Sequence, residues 1–386
     1  MIPIITDFAA GGTTFLQIYL DNAATTQPLV SAALRRHMES AWYNPSSAYV
    51  PAEKVFIGLK HIREALAGAA GMAGCVFTSG GTEANNLAVR SAGRHGAHYI
   101  TSAIEHPSVF ETFRQLANEG AEVDFVKPRG YCVHAQDVAA LVRENTALVS
   151  IMHVNNETGA MNDIREICAA VKERNQHTLF HSDGVQALLK TDTGLAGSGV
   201  DFYTVSAHKI HALKGTGALL AAKGCAVRSL MYGGEQEGSL RPGTENTLGI
   251  QAFGEALEAG LKGFKANVAH IAALHGRLVS ALSGMEGARL LLPESKVPHI
   301  VNVSFEGLRA EVLVRLLGEK GICIGTGSAC SRGKISRTLL ACGVKRGEAE
   351  GAIRVSLSAL NTEQEIGVFL EALEEAAGRL RRFGRR

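Results

Sequence analysis

The sequence predicts an α/β protein: a mostly parallel sheet flanked by helices, followed by a smaller α+β domain. Three observations predict it. Short, continuously apolar runs recur through the first two-thirds of the chain. Helix-like segments stand between several of them. The texture then changes near residue 250. The apolar runs are CVFTSG (75–80), HYITSAI (98–104), ALVSIMHV (147–154), TLFHSD (178–183), DFYTVSA (201–207) and TGALLAAK (216–223). Strands apolar throughout, rather than at alternate positions, belong to a sheet covered on both faces. The helix-like segments at 109–119, 135–144 and 164–175 supply the cover.

Residues 250–284 read as one long, Ala-rich helix. A strand (VPHIVNVSF), a helix (AEVLVRLLGEKG), a strand running into a loop (ICIGTGSACS) and a strand (AIRVSLS) follow. A last helix carries Ile366, Phe369, Leu370, Leu373, Ala377 and Leu380 on one face, and NTEQE before it offers a capping box. The expected division is a large domain over 19–255 and a small domain over 256–386. Residues 1–18 are expected to be a leader, and residues near 19–26 are candidates to pack against the small domain.

Of the 386 residues, 46% are apolar and 20% charged, enough for a substantial core. A formal charge of +2 makes no case for nucleic acid or an anionic membrane as partner. The seven cysteines include no C-x-x-C pair and show no zinc spacing, so no metal site is expected. They read as reduced thiols, and the expected location is cytoplasmic. The N-terminus lacks a basic start and a long apolar core, so it does not read as a signal peptide.

In parallel sheets ligands bind at the carboxyl ends of strands, so polar residues just after strands are the place to look. TSGGTEANN (78–86) places two glycines between a strand and a helix start, a geometry that cradles phosphate. SAHKI (206–210) places Ser206, His208 and Lys209 after another strand. A lysine there can serve as a Schiff-base nucleophile, although a lone lysine is more often a surface charge. HSDGVQA (181–187) gives Asp183 and Gln186. The acid suits either a helix N-cap or the pyridinium nitrogen of pyridoxal phosphate. EHPSV (105–109) gives His106, able to stack on a flat ring or merely to start a helix. VNNETG (154–159) gives Asn156, with a turn as the plainer reading. A nicotinamide dinucleotide would explain the glycines but not the lysine, and the G-x-G-x-x-G fingerprint is absent after the first strands.

GTGSACSRGK (325–334) raises a separate question, because Cys330 sits among small polar residues with no apolar pattern to bury it. Buried cysteines behave as small hydrophobes; this one reads as a solvent-facing loop residue. Arg332 and Lys334 would favour its thiolate. Cys323 lies in an apolar strand and Cys342 follows a helical LLA, so both read as structural.

YLDNAATT (19–26), NPSS (44–47), TSGGTEANN, EHPSV, VNNETG, HSDGVQ, SAHK, LRPGTEN (240–246), GSAC (327–330) and IRVSL (353–357) occur in this order over nearly the whole chain. Together they resemble the cysteine desulfurases of the class V aminotransferase family. The resemblance implies a fold type I pyridoxal phosphate enzyme, usually a homodimer with active sites at the interface. It implies that Lys209 holds the cofactor as a Schiff base and later acts as base. Asp183 would face the pyridine nitrogen, Gln186 the phenolic oxygen, and His106 would stack on the ring. Thr82, Ser206 and His208, with the backbone of Gly81, would hold the phosphate. Thr244 would reach the phosphate in the other subunit. Asn156 and Arg354 would bind the substrate carboxylate, with Asn156 also at the cofactor. Cys330 would take sulfur from L-cysteine as a persulfide, leaving L-alanine, and pass it to an acceptor protein. Acceptors in iron–sulfur, tRNA or other sulfur-cofactor synthesis all fit.

Two departures stand out. Tyr49 occupies the place of a histidine after NPSS, with no glycine in the YVPAEK that follows, and SRGKIS is about two residues shorter than in the iron–sulfur-assembly type. A selenocysteine lyase and a non-catalytic sulfur-transfer scaffold are the rivals. Cys330 argues against the first, and the retained Lys209, Asp183 and His106 against the second.

Overall fold

The computed structural model describes residues 17–29, 31–94, 96–326 and 335–384. In chain order, the first half runs β1 (Ile18–Tyr19), α1 (Ala32–Ser40), α2 (Val50–Ala70), β2 (Gly74–Thr78), α3 (Gly81–Ser91), β3 (His98–Ser102), α4 (Pro107–Asn118), β4 (Glu122–Val126), α5 (Ala135–Ala139), β5 (Thr146–Ser150), α6 (Ile164–Arg174) and β6 (Leu179–Asp183). Then come β7 (Phe202–Ser206), a 3₁₀ turn (Ala207–Lys209), β8 (Gly217–Ala221) and the long α7 (Thr247–Gly284). The remainder is β9 (Ala288–Leu290), β10 (Ile300–Phe305), α8 (Ala310–Glu319), β11 (Ile322–Cys323), β12 (Gly325–Thr326), α9 (Arg337–Ala341), α10 (Arg346–Glu350), β13 (Ala352–Ser356) and α11 (Glu363–Gly384).

A seven-stranded sheet in the order β2-β8-β7-β6-β5-β3-β4 forms the large unit. All its pairings are parallel except those of β8, which runs antiparallel to both β2 and β7. Alternate strand residues feed opposite faces. Phe77, Val149, Tyr203 and Leu220 pack with α2, α6 and α7, while Val76, Leu148, Phe202 and Leu219 pack toward α3 and α4. Both faces are therefore dry, which explains the unbroken apolar runs.

A four-stranded antiparallel sheet, β12-β13-β10-β9, forms a second unit with its own core. Helix α7 serves both cores. Ile250, Phe253 and Leu257 enter the first, and Ile271, Leu274, Leu278 and Leu282 the second. The segment after β1 crosses back to this unit: Asn22 donates to the Ser356 carbonyl at 2.9 Å and the Ala23 amide to Ser356 Oγ at 2.8 Å.

Local sequence explains most boundaries. Asn246 caps α7 by accepting from the Gly249 amide at 3.0 Å. The capping box before α11 is Thr362 and Glu365, whose side chains each accept from the other's backbone N–H, at 3.2 and 2.8 Å. The helix expected over 135–144 stops at Ala139, because residues 140–145 form turns in which the Arg143 amide donates to Thr146 Oγ1 at 2.7 Å.

Candidate active site

Strand order reverses between β3 and β5: the chain after β3 goes outward to β4, and the chain after β5 goes the other way to β6. Such a switch point opens a crevice at the strand ends. A cleft of about 400 Å³ lies there. Its lining includes Gly81 and Thr82 after β2, His106 after β3, Asn156 after β5, Asp183 at the end of β6 with Gln186 after it, and Ser206 at the end of β7 with His208 and Lys209 after it, with Arg354 from β13 on the opposite wall. One cleft thus gathers every expected site residue except Thr244 and Cys330. Thr244 is exposed, outside the lining. Cys330 lies outside the described residues, as do Arg332 and Lys334.

At one end, helix α3 begins at Gly81 and presents backbone N–H groups. The turn before it must pass close to β8. A Cβ on Gly217 would stand 2.6 Å from the Gly80 carbonyl carbon, so only glycine permits the approach. Ser206 is buried, and its Oγ has no hydrogen-bond partner among the described residues. The His208 imidazole is pushed down to about 4 by burial and by Lys209, Lys190 and Lys214. It is therefore neutral at pH 7, with Nδ1 3.1 Å from Thr25 Oγ1.

In the middle, Asp183 is buried and accepts from the Val185 amide at 3.0 Å and from Asn85 Nδ2 at 2.8 Å. His106 caps α4, with Pro107 as the first helical residue. Burial lowers the imidazole's pKa, and so do Lys209 and Arg337, while Asp183 opposes them. Lys209 Nζ donates to the carbonyls of Ala23 and Ala24 at 2.7 and 2.6 Å. Gln186 Nε2 shares the Ala23 carbonyl at 2.8 Å, and its Oε1 accepts from Lys190 at 3.1 Å.

At the far end, Arg354 is 1% exposed. It donates to the Asn156 carbonyl at 2.8 Å and to Asp21 Oδ1 at 2.7 Å, while its Nε has no partner among the described residues. Asn156 thus meets Arg354 through its backbone.

The stretch that contains Cys330 is flanked by elements tied to this rim. Gly325 of β12 pairs with Arg354 of β13. On the other side Ser336 donates to the Glu157 carboxylate, and Arg337 donates to the carbonyls of Ala103 and Glu105 while stacking 3.6 Å over the Phe110 ring. Five other cysteines offer poor nucleophiles. Burial pushes the thiols of Cys75, Cys168, Cys225 and Cys342 up to about 12, and raises that of Cys132.

Sequence reading missed Asp21, Asn85, Glu105, Ser108, Lys190 and Arg337. Two of them carried a usable signal. Lys190 lies four residues after Gln186, one helical turn away, and Asn85 stands inside TSGGTEANN, one turn beyond Thr82. Ser108 and Glu105 have local partners, His106 and Ser102, but also reach Asn85 and the Met152 amide; Asp21 and Arg337 act through contacts distant in sequence.

With this geometry in view, the pattern of the family described as Aminotransferase class-V matches residues 18–369. The chain belongs to the class V aminotransferase family. A cysteine desulfurase of Trichormus azollae is 36% identical over 382 residues, covering 94% of each chain. A solved NifS-like protein superposes with a TM-score of 0.87 at 34% identity, covering 93% of this chain and 98% of that one. A structure titled SspA in complex with cysteine gives a TM-score of 0.74 at 30% identity, covering 89% of this chain and all of the other.

Proposed function

We propose that this protein is a cysteine desulfurase that uses pyridoxal phosphate to convert L-cysteine to L-alanine and takes the sulfur onto Cys330. The observation that carries the reading is the single cleft. It combines a lysine amine, a buried aspartate, a helix N-terminus beside an unpartnered buried hydroxyl, and a buried arginine. The named relatives support the same activity.

The donor set fits the cofactor. The α3 N-terminus, Thr82, Ser206 and neutral His208 suit a phosphate, and the orphaned Ser206 Oγ is a hydroxyl awaiting an acceptor. Asp183 suits a protonated pyridine nitrogen, Gln186 the phenolic oxygen, and Lys209 the aldehyde carbon. Bound there, pyridoxal phosphate supplies an electron sink for a broken Cα–H bond.

The chain's own residues do the rest. Arg354 grips the substrate carboxylate through its planar fork, aided by Asn156. Lys209, whose amine lines the cleft, would take the α-proton. His106 offers a donor edge to the reacting groups. Cys330 as thiolate attacks the substrate sulfur. A new S–S bond forms, the Cβ–S bond breaks, and the bonding pair stays on Cβ; Cβ is then protonated and Cα regains a proton from Lys209, giving alanine. The persulfide sulfur leaves on an acceptor protein.

A homodimer is supported by exposed apolar side chains at Trp42, Val50, Phe56 and Tyr232. Exposed Thr244 is then free to serve the other subunit's phosphate. Among the described residues no helix is long and apolar enough to cross a membrane.

The test is paired. Alanine and sulfide are quantified with L-cysteine and a thiol reductant for the wild type and for Cys330→Ala. Equal yields that vanish in the variant are expected. A variant that still makes alanine at the wild-type rate would overturn the role of Cys330.

A further inference from the structure

Four side chains, Asp183 among them, form a line from Asp183 to His106. Asn85 Nδ2 lies 2.8 Å from Asp183 Oδ2 and 2.8 Å from Ser108 Oγ. Ser108 Oγ lies 2.7 Å from His106 Nδ1, and the Ser108 amide donates to the same Nδ1 at 3.2 Å. Asn85 is 1% exposed and Ser108 9%.

Counting protons gives this line a direction. An ionised aspartate only accepts, so it must face the NH₂ of Asn85 and not its oxygen. The second hydrogen of that NH₂ then points at Ser108 Oγ, which becomes the acceptor. The hydroxyl's own hydrogen is left for His106 Nδ1. Nδ1 also receives the Ser108 backbone N–H, so it accepts from both. A neutral ring in this setting carries its one proton on Nε2.

We propose that Asn85 and Ser108 are positioning residues that transmit the charge of Asp183 to His106 and hold it as the Nε2–H tautomer. The assignment deepens the reading of this cleft as a pyridoxal phosphate site and rests on it for its catalytic meaning. The aspartate that faces the ring nitrogen also decides, three groups away, which edge of the histidine donates. The unpartnered Asn85 Oδ1 agrees with this direction. An amide turned the other way would satisfy that oxygen with the serine hydroxyl, but would set it against the carboxylate. The charged groups that face His106 come from three further elements: Asp183 from β6, Lys209 from the turn after β7, and Arg337 from α9.

The test reads the ring directly. Holoenzyme labelled with ¹⁵N in its histidine rings is studied by long-range ¹H–¹⁵N correlation, with His106 assigned by its absence in His106→Gln. A bare Nδ1 and a protonated Nε2 are expected. Ser108→Ala removes one of the two donors to Nδ1 while the backbone donor remains. His106 should then titrate at higher pH, and kcat should fall about tenfold with little change in KM. Ser108→Thr keeps the hydroxyl and should restore both. Asn85→Ala, checked for folding by thermal melting, should move the His106 titration in the same direction. A proton on Nδ1 in the wild type, or identical titrations in Ser108→Ala and Ser108→Thr, would overturn the proposal. The tautomer is read without turnover, so a well-formed His106 signal in a protein that makes no alanine would count against the proposed function and not against this assignment.

Discussion

The two walls of the cleft are built on different principles. On the large-sheet wall, Asp183, Gln186, His106 and Lys209 each stand at or just after the end of a large-sheet strand, and each has a partner on that wall or on the Ala23–Ala24 turn. On the small-sheet wall one cation, Arg354, sits in the middle of β13, and its partners come from elsewhere: Asp21 from the segment after β1, and the Asn156 carbonyl from the large unit. The first wall is set by neighbouring strand ends. The second is set by segments that cross between the units. A rigid cofactor is best held by the first kind of wall, and a small substrate is best recognised by the second, where one strong contact decides binding.

The largest test of this contrast is Lys209→Ala, on the sheet wall. It should cut alanine formation by about 10⁴-fold or more, since the proposed function makes the lysine both cofactor link and base. The visible absorbance of the loaded protein should change as well. On the opposite wall, Arg354→Gln should leave that absorbance intact and lower kcat/KM about 100-fold, mostly through KM, because the proposed charge-assisted grip on the substrate carboxylate would be lost. If Arg354→Gln instead abolishes cofactor binding, the division of labour between the walls is wrong.

The sheet wall was the more legible of the two. Its side chains follow recognisable strands, so a motif fixes both residue and location. The contacts that orient them were hidden. Asp183 and Asn85 are 98 residues apart, and Asn85 and Ser108 are 23 apart. No local pattern links such positions. Strand direction was equally silent. TGALLAAK reads as a buried strand whichever way it runs, and only the structure shows β8 antiparallel. Edge strand β4, EVDFV, carries acids at Glu122 and Asp124, which pair with Arg143, so it lacks the apolar run that marked the others. On the small-sheet wall, IRVSL marked Arg354, but nothing in the sequence pairs it with Asp21 on a segment 333 residues earlier.

Buried Glu105 gives a stability test confined to the sheet wall. It accepts from Ser102 Oγ at 2.5 Å and from the Met152 amide at 3.0 Å, and burial raises its carboxyl from 4.5 to about 8. The folded state therefore keeps a proton that the unfolded chain releases above about pH 4.5. Between that pH and about 8 the unfolded chain binds fewer protons, so this group makes stability fall as pH rises. Glu105→Gln removes the titration. The variant should gain about 2–5 °C in Tm relative to wild type on going from pH 5 to pH 8. A difference that does not change with pH would mean that Glu105 is ionised in the folded protein.

The smallest effect expected is at Cys342, which sharpens the contrast by asking whether any thiol outside the Cys330 stretch takes part. Cys342 follows α9 at the small unit's edge, and burial holds its thiol at about 12. Only a thiolate attacks sulfur, and at pH 8 a group with that pKa is ionised about once in 10⁴ molecules. Its packing against Leu339 and Val344 marks it as a small core residue. Cys342→Ser should keep alanine formation within about twofold of wild type while lowering Tm slightly, because a hydroxyl replaces a thiol in an apolar cluster. A loss of persulfide in Cys342→Ser with its fold intact would place a second sulfur carrier on the small-sheet side and give that wall a chemical role beyond gripping the substrate.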